Sequence, residues 1–357
     1  MRIHTIQDKL ANDTVLALAP GDDFRYAAEW SPLGDERLTF LLVGKEGARL
    51  VIASVNAEEA VAHLPDGFSI ARFSDDEGPV TALKDAVKNF HGSRFLVSDD
   101  ARFAHAQILA DVVEGSLGLA STMMAELRMQ KDEEEIRLLA ESQRINDLAM
   151  QAGYEAMRPG MTELELADVV RRAFIAHGAD REAFIIVAAG AHSALPHHTP
   201  TDTKLEEGPV LFDIGCYYHG YASDMTRVAY LGTPSQKFRQ VHQLVEQAVQ
   251  SAHRTARPGV PAEEVDRAAR RVIDQGGYGP QFVHRVGHGI GLSVHEPPSV
   301  MEGNTLPLPV NAAFSIEPGI YLPGEFGVRL EEVVVNRPGG AQILSQVPRD
   351  IFVKSLK

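Results

Sequence analysis

Residues 158–178, RPGMTELELADVVRRAFIAHG, return in outline as residues 257–277, RPGVPAEEVDRAARRVIDQGG. In both, a Pro-Gly turn leads into an acidic helix start, an Arg-Arg pair falls at the same offset, and a glycine closes the helix. Helices of this composition can match by chance; taken as a repeat, the match predicts a region of two related α/β halves with a site between them. Just upstream, KDEEEIRLLAESQRINDLAMQAGYEAM (131–157) reads as one long amphipathic helix. Asp132 and three glutamates occupy its first turns, where negative charge suits the helix dipole, and Arg158-Pro159-Gly160 ends it. Further upstream, TVLALAP, LTFLLVG and RLVIASV read as strands, and Val80 to Phe90 and Phe103 to Glu114 as helices, which makes an N-terminal α/β domain. The periodicity lapses between Leu117 and Met129, so the expected division is residues 1–125 and 126–357.

The chain has 357 residues, 44% of them hydrophobic and 23% charged, an ordinary balance for a globular protein of two domains. Its net charge of -15 would repel nucleic acid and anionic membrane surfaces. A single cysteine, Cys216, rules out an intramolecular disulfide and fits a reducing compartment. The first residues hold no apolar signal core, and no segment approaches the roughly 20 apolar residues of a membrane span. The expectation is a cytoplasmic protein without nucleic-acid or membrane partners.

Chemistry concentrates in the second region. In GPVLFDIGCYYHGYASDMTRVAYLG (208–232), Asp213 lies inside an apolar strand, where a carboxylate is costly unless paired or bound to a metal. A turn at His219-Gly220 would bring Asp224 back beside it. The competing reading is a surface hairpin with two solvated acids. In AAFSIEPGIYLPGEFGVRLEEVVVN (312–336), Glu317 ends one apolar run and Glu331 sits within another, Val328 to Val335, with Glu332 expected on the opposite, solvated face. Here the competing reading is a structural ion pair between Arg329 and Glu331. Between the two pairs, VGHGIGLSVHEPP (286–298) sets His288 among Gly287, Gly289 and Gly291, which would bare its imidazole by close approach or positive φ. Four carboxylates and one imidazole are more ligands than one Zn²⁺ usually takes. Oxygen-rich ligation with no thiolate suits two divalent ions such as Mn²⁺, Co²⁺ or Fe²⁺, about 3.5–4 Å apart.

The ordered set LPHHTP, FDIG with SDMTR, VGHGIG with VHEPP, SIEPGIY and GVRLEE resembles the metallopeptidase family with the pita-bread fold, which contains methionine aminopeptidase, aminopeptidase P and prolidase. The motifs span residues 195–332, and the N-terminal region resembles the creatinase-type domain of the proline-specific branch. The resemblance implies an α/β (α+β) protein: a creatinase-type domain followed by a pseudo-two-fold pita-bread catalytic domain. It implies that Asp213 is a terminal ligand of one metal, that His288 and Glu317 are terminal on the other, and that Asp224 and Glu331 bridge. Glu317 would also act as general base, His197 and His295 would orient substrate and stabilise the tetrahedral intermediate, and Arg329 would brace the site. His192 stands where relatives often have asparagine, Glu332 where they often have aspartate, and His198 has no assigned role. GHGIG brushes against a dinucleotide fingerprint but lacks the strand, helix and acid that go with one.

The implied function is hydrolysis of the bond between an N-terminal residue and proline, as an Xaa-Pro dipeptidase with two divalent ions, Mn²⁺ first and Co²⁺, Fe²⁺ or Zn²⁺ open. The alternative is an Xaa-Pro aminopeptidase acting on longer peptides, and a remoter one is a non-catalytic pita-bread binding protein. The substrate would be a proline-containing di- or oligopeptide, and the resemblance implies a homodimer. Tyr26, Trp30 and Arg37 are candidates for restricting substrate length.

Overall fold

The computed structural model describes residues 2–356 and divides into two compact units, Met1–Arg128 and Met129–Lys357. The first unit runs α1 (Arg2–Lys9), β1 (Thr14–Leu18), α2 (Asp22–Ala28), β2 (Phe40–Gly44), β3 (Gly47–Ala53), α3 (Ser54–His63), β4 (Phe68–Phe73), α4 (Pro79–Val87), β5 (Arg94–Val97), α5 (Phe103–Val112), β6 (Ser116–Leu119) and α6 (Ser121–Met129). Its six strands form one sheet in the order β4-β3-β2-β1-β5-β6. Every residue of β1 and β2 is buried, which is why these segments read as unbroken apolar runs rather than alternations. The stretch where the periodicity lapses holds β6 and α6. The edge strand β6 is only four residues long, with Leu117 half-buried and Leu119 exposed, too short a run for its alternation to stand out.

The second unit opens on α7 (Glu133–Ala156), whose start is a capping box. Asp132 accepts from the Glu135 backbone at 2.8 Å, and the Glu135 side chain accepts from the Asp132 backbone at 2.9 Å. There follow α8 (Glu163–Ala176), β7 (Arg181–Ala189), β8 (Gly208–Tyr218), β9 (Tyr221–Ala222) and β10 (Met225–Leu231). Then come α9 (Gln236–Thr255), α10 (Ala262–Gln275), β11 (Gly287–Gly289), β12 (Glu296–Val300), β13 (Ala313–Ile316), β14 (Gly319–Leu322), β15 (Phe326–Arg329), β16 (Glu332–Arg337), β17 (Gly340–Ile343) and β18 (Phe352–Lys354).

The repeated segments are built alike. Both α8 and α10 have 14 residues, and both Pro-Gly turns are stitched to a distant strand entrance. Gly160 N donates to Leu205 O (2.8 Å) and Leu205 N to Met161 O (2.7 Å); Gly259 N donates to Leu308 O (2.8 Å) and Leu308 N to Val260 O (2.9 Å). Each helix pair covers its own sheet, β18-β10-β8-β7 with β9 on β8 in the first half and β12-β11-β13-β16-β17 in the second, while β14 and β15 form a separate ribbon. Tyr154, Phe174 and Phe212 pack the first half, and Phe238, Val249 and Phe314 the second. The fold is thus mixed α/β, with a pseudo-two-fold second unit.

Candidate metal centre and substrate cleft

The hairpin of β8 and β10 turns through His219 (φ 47°) and Gly220 (φ 81°), a two-residue loop with positive φ at both positions. The register sets Asp213 opposite Thr226, and Asp224 lies one residue before β10, close to the same point of the ladder. The second acidic pair is placed differently. The run Val328 to Val335 is not one strand: β15 ends at Arg329 within the ribbon with β14, and β16 begins at Glu332 against β13. An apolar run cannot separate one strand from two joined end to end. Glu331 occupies the junction, with its N–H donated to Thr226 O (3.1 Å), and Glu317 follows β13.

The glycines around His288 serve backbone packing. A Cβ on Gly287 would lie 1.9 Å from Ser315 O, and one on Gly289 2.2 Å from Pro297 O, whereas neither residue has positive φ. Close approach of neighbouring strands is what requires glycine here, and room beside the imidazole is a consequence. His288 Nδ1 donates to Gly289 O (3.1 Å), so a neutral ring presents its Nε2 lone pair to Glu317 Oε1 at 3.1 Å and Asp224 Oδ2 at 3.7 Å.

Lone pairs facing lone pairs call for a cation between them. Asp213 Oδ1 and Glu331 Oε1 are buried with no hydrogen-bond partner, and the ligand atoms of Asp224, His288 and Glu331 all lie within 4.8 Å of one another. Burial, followed by the repulsion of neighbouring carboxylates, holds Asp224 and Glu331 well above the ordinary carboxylate range. Burial raises Asp213 too, against the pull of Arg329. Glu317 alone is lowered, to about 2: burial opposes this, but His288, once its ring is protonated and donates from Nε2, outweighs it by hydrogen bond and charge. A cluster whose acids resist ionisation together is one that divalent charge would satisfy, and the oxygen-rich donor set matches such ions.

Arg329 ties the centre together. Its guanidinium donates to Asp213 Oδ2 (2.6 Å), Thr226 Oγ1 (3.0 Å), Tyr321 OH (2.6 Å) and Pro196 O (3.3 Å), and the Thr226 hydroxyl passes a bond on to Glu331 Oε2 (2.8 Å). The ion partner of Arg329 is therefore Asp213, not Glu331. Glu332, expected in solvent, is buried and paired with Arg227 (2.9 Å) and Arg349 (2.8 Å). Buried charges need such partners, and strand alternation alone could not show that this face is covered.

His197, His295, Arg329 and the five candidate ligands all line one cleft of about 1090 Å³ within the second unit. The His295 ring lies 4.2 Å from that of His288, and its pKa is lowered to about 4, first by burial and then by the charge of His288 and Arg285. His198 is buried beside the same cleft, bonded to Glu163 at 2.8 Å, while His192 bonds the other oxygen of the same carboxylate at 2.9 Å. In the first unit, Arg37 is held by Asp75 (2.8 Å), Tyr26 is buried with its hydroxyl on Leu127 O (3.3 Å), and Trp30 stacks on His63. Sequence reading passed over Glu163, Thr226, His284, Arg285 and Tyr321. Thr226 and Tyr321 stood inside motifs already singled out and Glu163 inside the quoted repeat, while His284 and Arg285 carry no local signal.

Metallopeptidase family M24 matches residues 137–337. The probable dipeptidase PepE of Mycobacterium tuberculosis is 38% identical over 346 residues, covering 95% of this chain and 91% of that protein. The Xaa-Pro dipeptidase of Lactobacillus helveticus is 35% identical over 352 residues, covering 96% and 95%. The crystal structure of prolidase from Thermococcus sibiricus superposes with a TM-score of 0.92 at 34% identity, covering 99% of this chain and 98% of that one. With the catalytic half matched and likeness extending over nearly all of its length, the chain belongs to metallopeptidase family M24.

Proposed function

We propose that the protein is a metal-dependent Xaa-Pro dipeptidase that hydrolyses the bond between an N-terminal residue and a C-terminal proline. The observation that carries this reading is the convergence of two acidic pairs and His288, acceptor against acceptor, on one cleft in a chain whose relatives are named for this activity. Asp213, Asp224, His288, Glu317 and Glu331 would hold two divalent ions, with Mn²⁺ the first choice and Co²⁺, Fe²⁺ and Zn²⁺ open. When bound, such ions supply a water acidic enough to attack at neutral pH and a Lewis acid for the scissile carbonyl.

Glu317 then takes the proton of the attacking water, helped by its position at the open edge of the cluster, where its side chain keeps 16% exposure. His295, lowered to about 4, is neutral at pH 7 and donates to the substrate carbonyl oxygen without adding charge. His197 faces the same cleft and shares that role. Arg285 supports a dipeptide substrate. It lines the cleft and donates to the neutral Ser299 hydroxyl (3.0 Å), with no carboxylate paired to it among the described residues, whereas Arg329 is committed to Asp213. The free carboxylate of a C-terminal proline matches that cation. The family resemblance and the lone buried Cys216, whose thiol burial pushes up to about 11, lead us to propose a cytoplasmic homodimer. Among the described residues, no helix is long and apolar enough to cross a membrane.

The test is hydrolysis of an Xaa-Pro dipeptide beside an Xaa-Pro-Yaa tripeptide by chelated enzyme refilled with Mn²⁺. Cleavage of the dipeptide alone is expected, with loss on chelation. Efficient tripeptide cleavage would make the protein an aminopeptidase, and inactivity toward both after refilling would overturn the peptidase reading.

A further inference from the structure

The segment between β7 and β8 carries His197, yet it contains only one short 3₁₀ turn, Gly190–Ala194. Something other than regular structure must hold it. The Glu163 side chain, fully buried at the first position of α8, accepts from five donors spread along this segment. Ala189 N (2.8 Å) and His192 Nδ1 (2.9 Å) reach Oε1; His198 Nε2 (2.8 Å), Thr201 N (3.0 Å) and Thr201 Oγ1 (2.8 Å) reach Oε2. The rings of His192 and His198 pack with centroids 4.3 Å apart, so the two donors either side of His197 brace each other as well.

This carboxylate does not serve its own helix. Thr162 caps α8 with Glu165 in a reciprocal box, and the position matching Glu163 in the repeat is Ala262, so a helix of equal length begins without an acid at that position, its first-turn acids being Glu263 and Glu264. The opposite side of the segment is fastened to the metal centre. Arg329 donates to Pro196 O (3.3 Å), and Gly327 N donates to the Ser193 hydroxyl (2.9 Å). His197 thus sits in a stretch pinned from both sides, by Glu163 behind and by the Arg329 that holds Asp213 in front.

We propose that Glu163, with His192 and His198 as its donors, is a positioning residue for His197, setting where that imidazole stands over the scissile bond. The proposal rests on the peptidase reading of the cleft. The ligand atoms of Glu163, His192 and His198 also lie within 4.8 Å of one another, as a metal site would require. Both carboxylate oxygens are already met by N–H and O–H donors, which favours the hydrogen-bonded hub.

Glu163→Gln tests this, because an amide keeps the shape but can accept at only one of the two atoms. In the Mn²⁺ enzyme, kcat on an Xaa-Pro dipeptide is expected to fall ~10- to 100-fold with little change in KM and no change in Mn²⁺ content. In a His197→Ala background the same change should cost nothing further, since there is no imidazole left to misplace. An equal loss in that background, or undiminished kcat, overturns the proposal. ¹⁵N spectra of the imidazoles in Zn²⁺-loaded protein read the geometry without turnover: the His197 resonance should shift or broaden in Glu163→Gln while that of His295 stays. An unmoved His197 resonance overturns the proposal even if the wild type proves inactive, a separate failure that removes only the peptidase reading. If Glu163→Gln does not fold, His198→Gln, which retains a donor, and His198→Phe, which does not, replace it; equal kcat in the two is then the overturning result. Metal bound by the wild type at the three-residue cluster and lost in Glu163→Gln would also overturn it.

Discussion

The two halves of the second unit reach the same chemistry with different reach. In the first half, two short acids sit on one long hairpin, with β8 of 11 residues and β10 of seven running antiparallel past the site. In the second, two longer acids project from the ends of four- and six-residue strands, with a whole ribbon inserted between them. A continuous ladder delivers a carboxylate close to its axis, so aspartate suffices. Where the strands stop short, the extra methylene of glutamate spans the difference. The outer histidines differ in the same way. The loop of His295 continues directly into β12, which pairs with β11, and the adjacent Glu296 is locked to buried Lys131. The loop of His197 has no strand partner and depends on the Glu163 hub. Equivalent positions in a duplicated fold are therefore stabilised by backbone pairing in one half and by side-chain hydrogen bonding in the other.

That comparison can be broken most sharply at one acid from each pair. Asp224→Asn from the first half and Glu331→Gln from the second should each cost at least about 10²–10³-fold in kcat with Mn²⁺ in excess, since both remove charge from the centre of the cluster. Full turnover in either one would contradict a shared two-ion site. Next come the histidines. His197→Ala and His295→Ala should each lower kcat by about 10²-fold and leave KM nearly unchanged, because the bond they make strengthens in the transition state. A loss confined to KM would show that they bind substrate without stabilising the reaction.

Smaller effects separate the two bracing strategies. Glu296→Gln leaves Lys131 as a buried charge without its full counter-charge, and should cost about 3 kcal/mol of unfolding free energy in urea. A change within 0.5 kcal/mol, roughly the range of a surface substitution, would mean that the strand pairing carries that loop alone. The least of the four is a pH effect at Glu163. Burial opposes ionisation of this group, but the Ala189 N–H, His198, His192 and Thr201 outweigh it and lower its pKa. A lowered folded pKa contributes stability above the unfolded value, near 4.3 for glutamate, and that contribution is lost as pH falls through the folded value. The stability difference between wild type and Glu163→Gln should therefore shrink from pH 6 to pH 3. A difference that stays constant would mean that the carboxylate is not held ionised by its donors.

Much of the site is local in origin. Asp213 and Asp224 announce themselves because charged residues in apolar runs are costly, and the His219-Gly220 turn dictates that they come together. Glu332 misled for the same reason in reverse. Alternation predicts which face a residue takes, while the arginines that cover that face, Arg227 and Arg349, arrive from elsewhere in the chain. The break between β15 and β16 was equally invisible, since Leu330 is as apolar as its neighbours and only the pairing partners, β14 on one side and β13 on the other, divide the run.

By itself the amino-acid sequence determined the two-half plan, the acidic pairs and the glycine-flanked His288, because each is written in residues a few places apart and answers to burial cost, turn chemistry or close approach. The tertiary structure alone decided which arginine meets which acid, why glycine is needed beside His288, and that Glu163, His192 and His198 meet around the loop of His197. Apart from Arg349 on Glu332 and Gly289 against Pro297, those contacts join residues 26 to 116 positions apart in the chain, and a one-dimensional pattern holds no record of the distance between them.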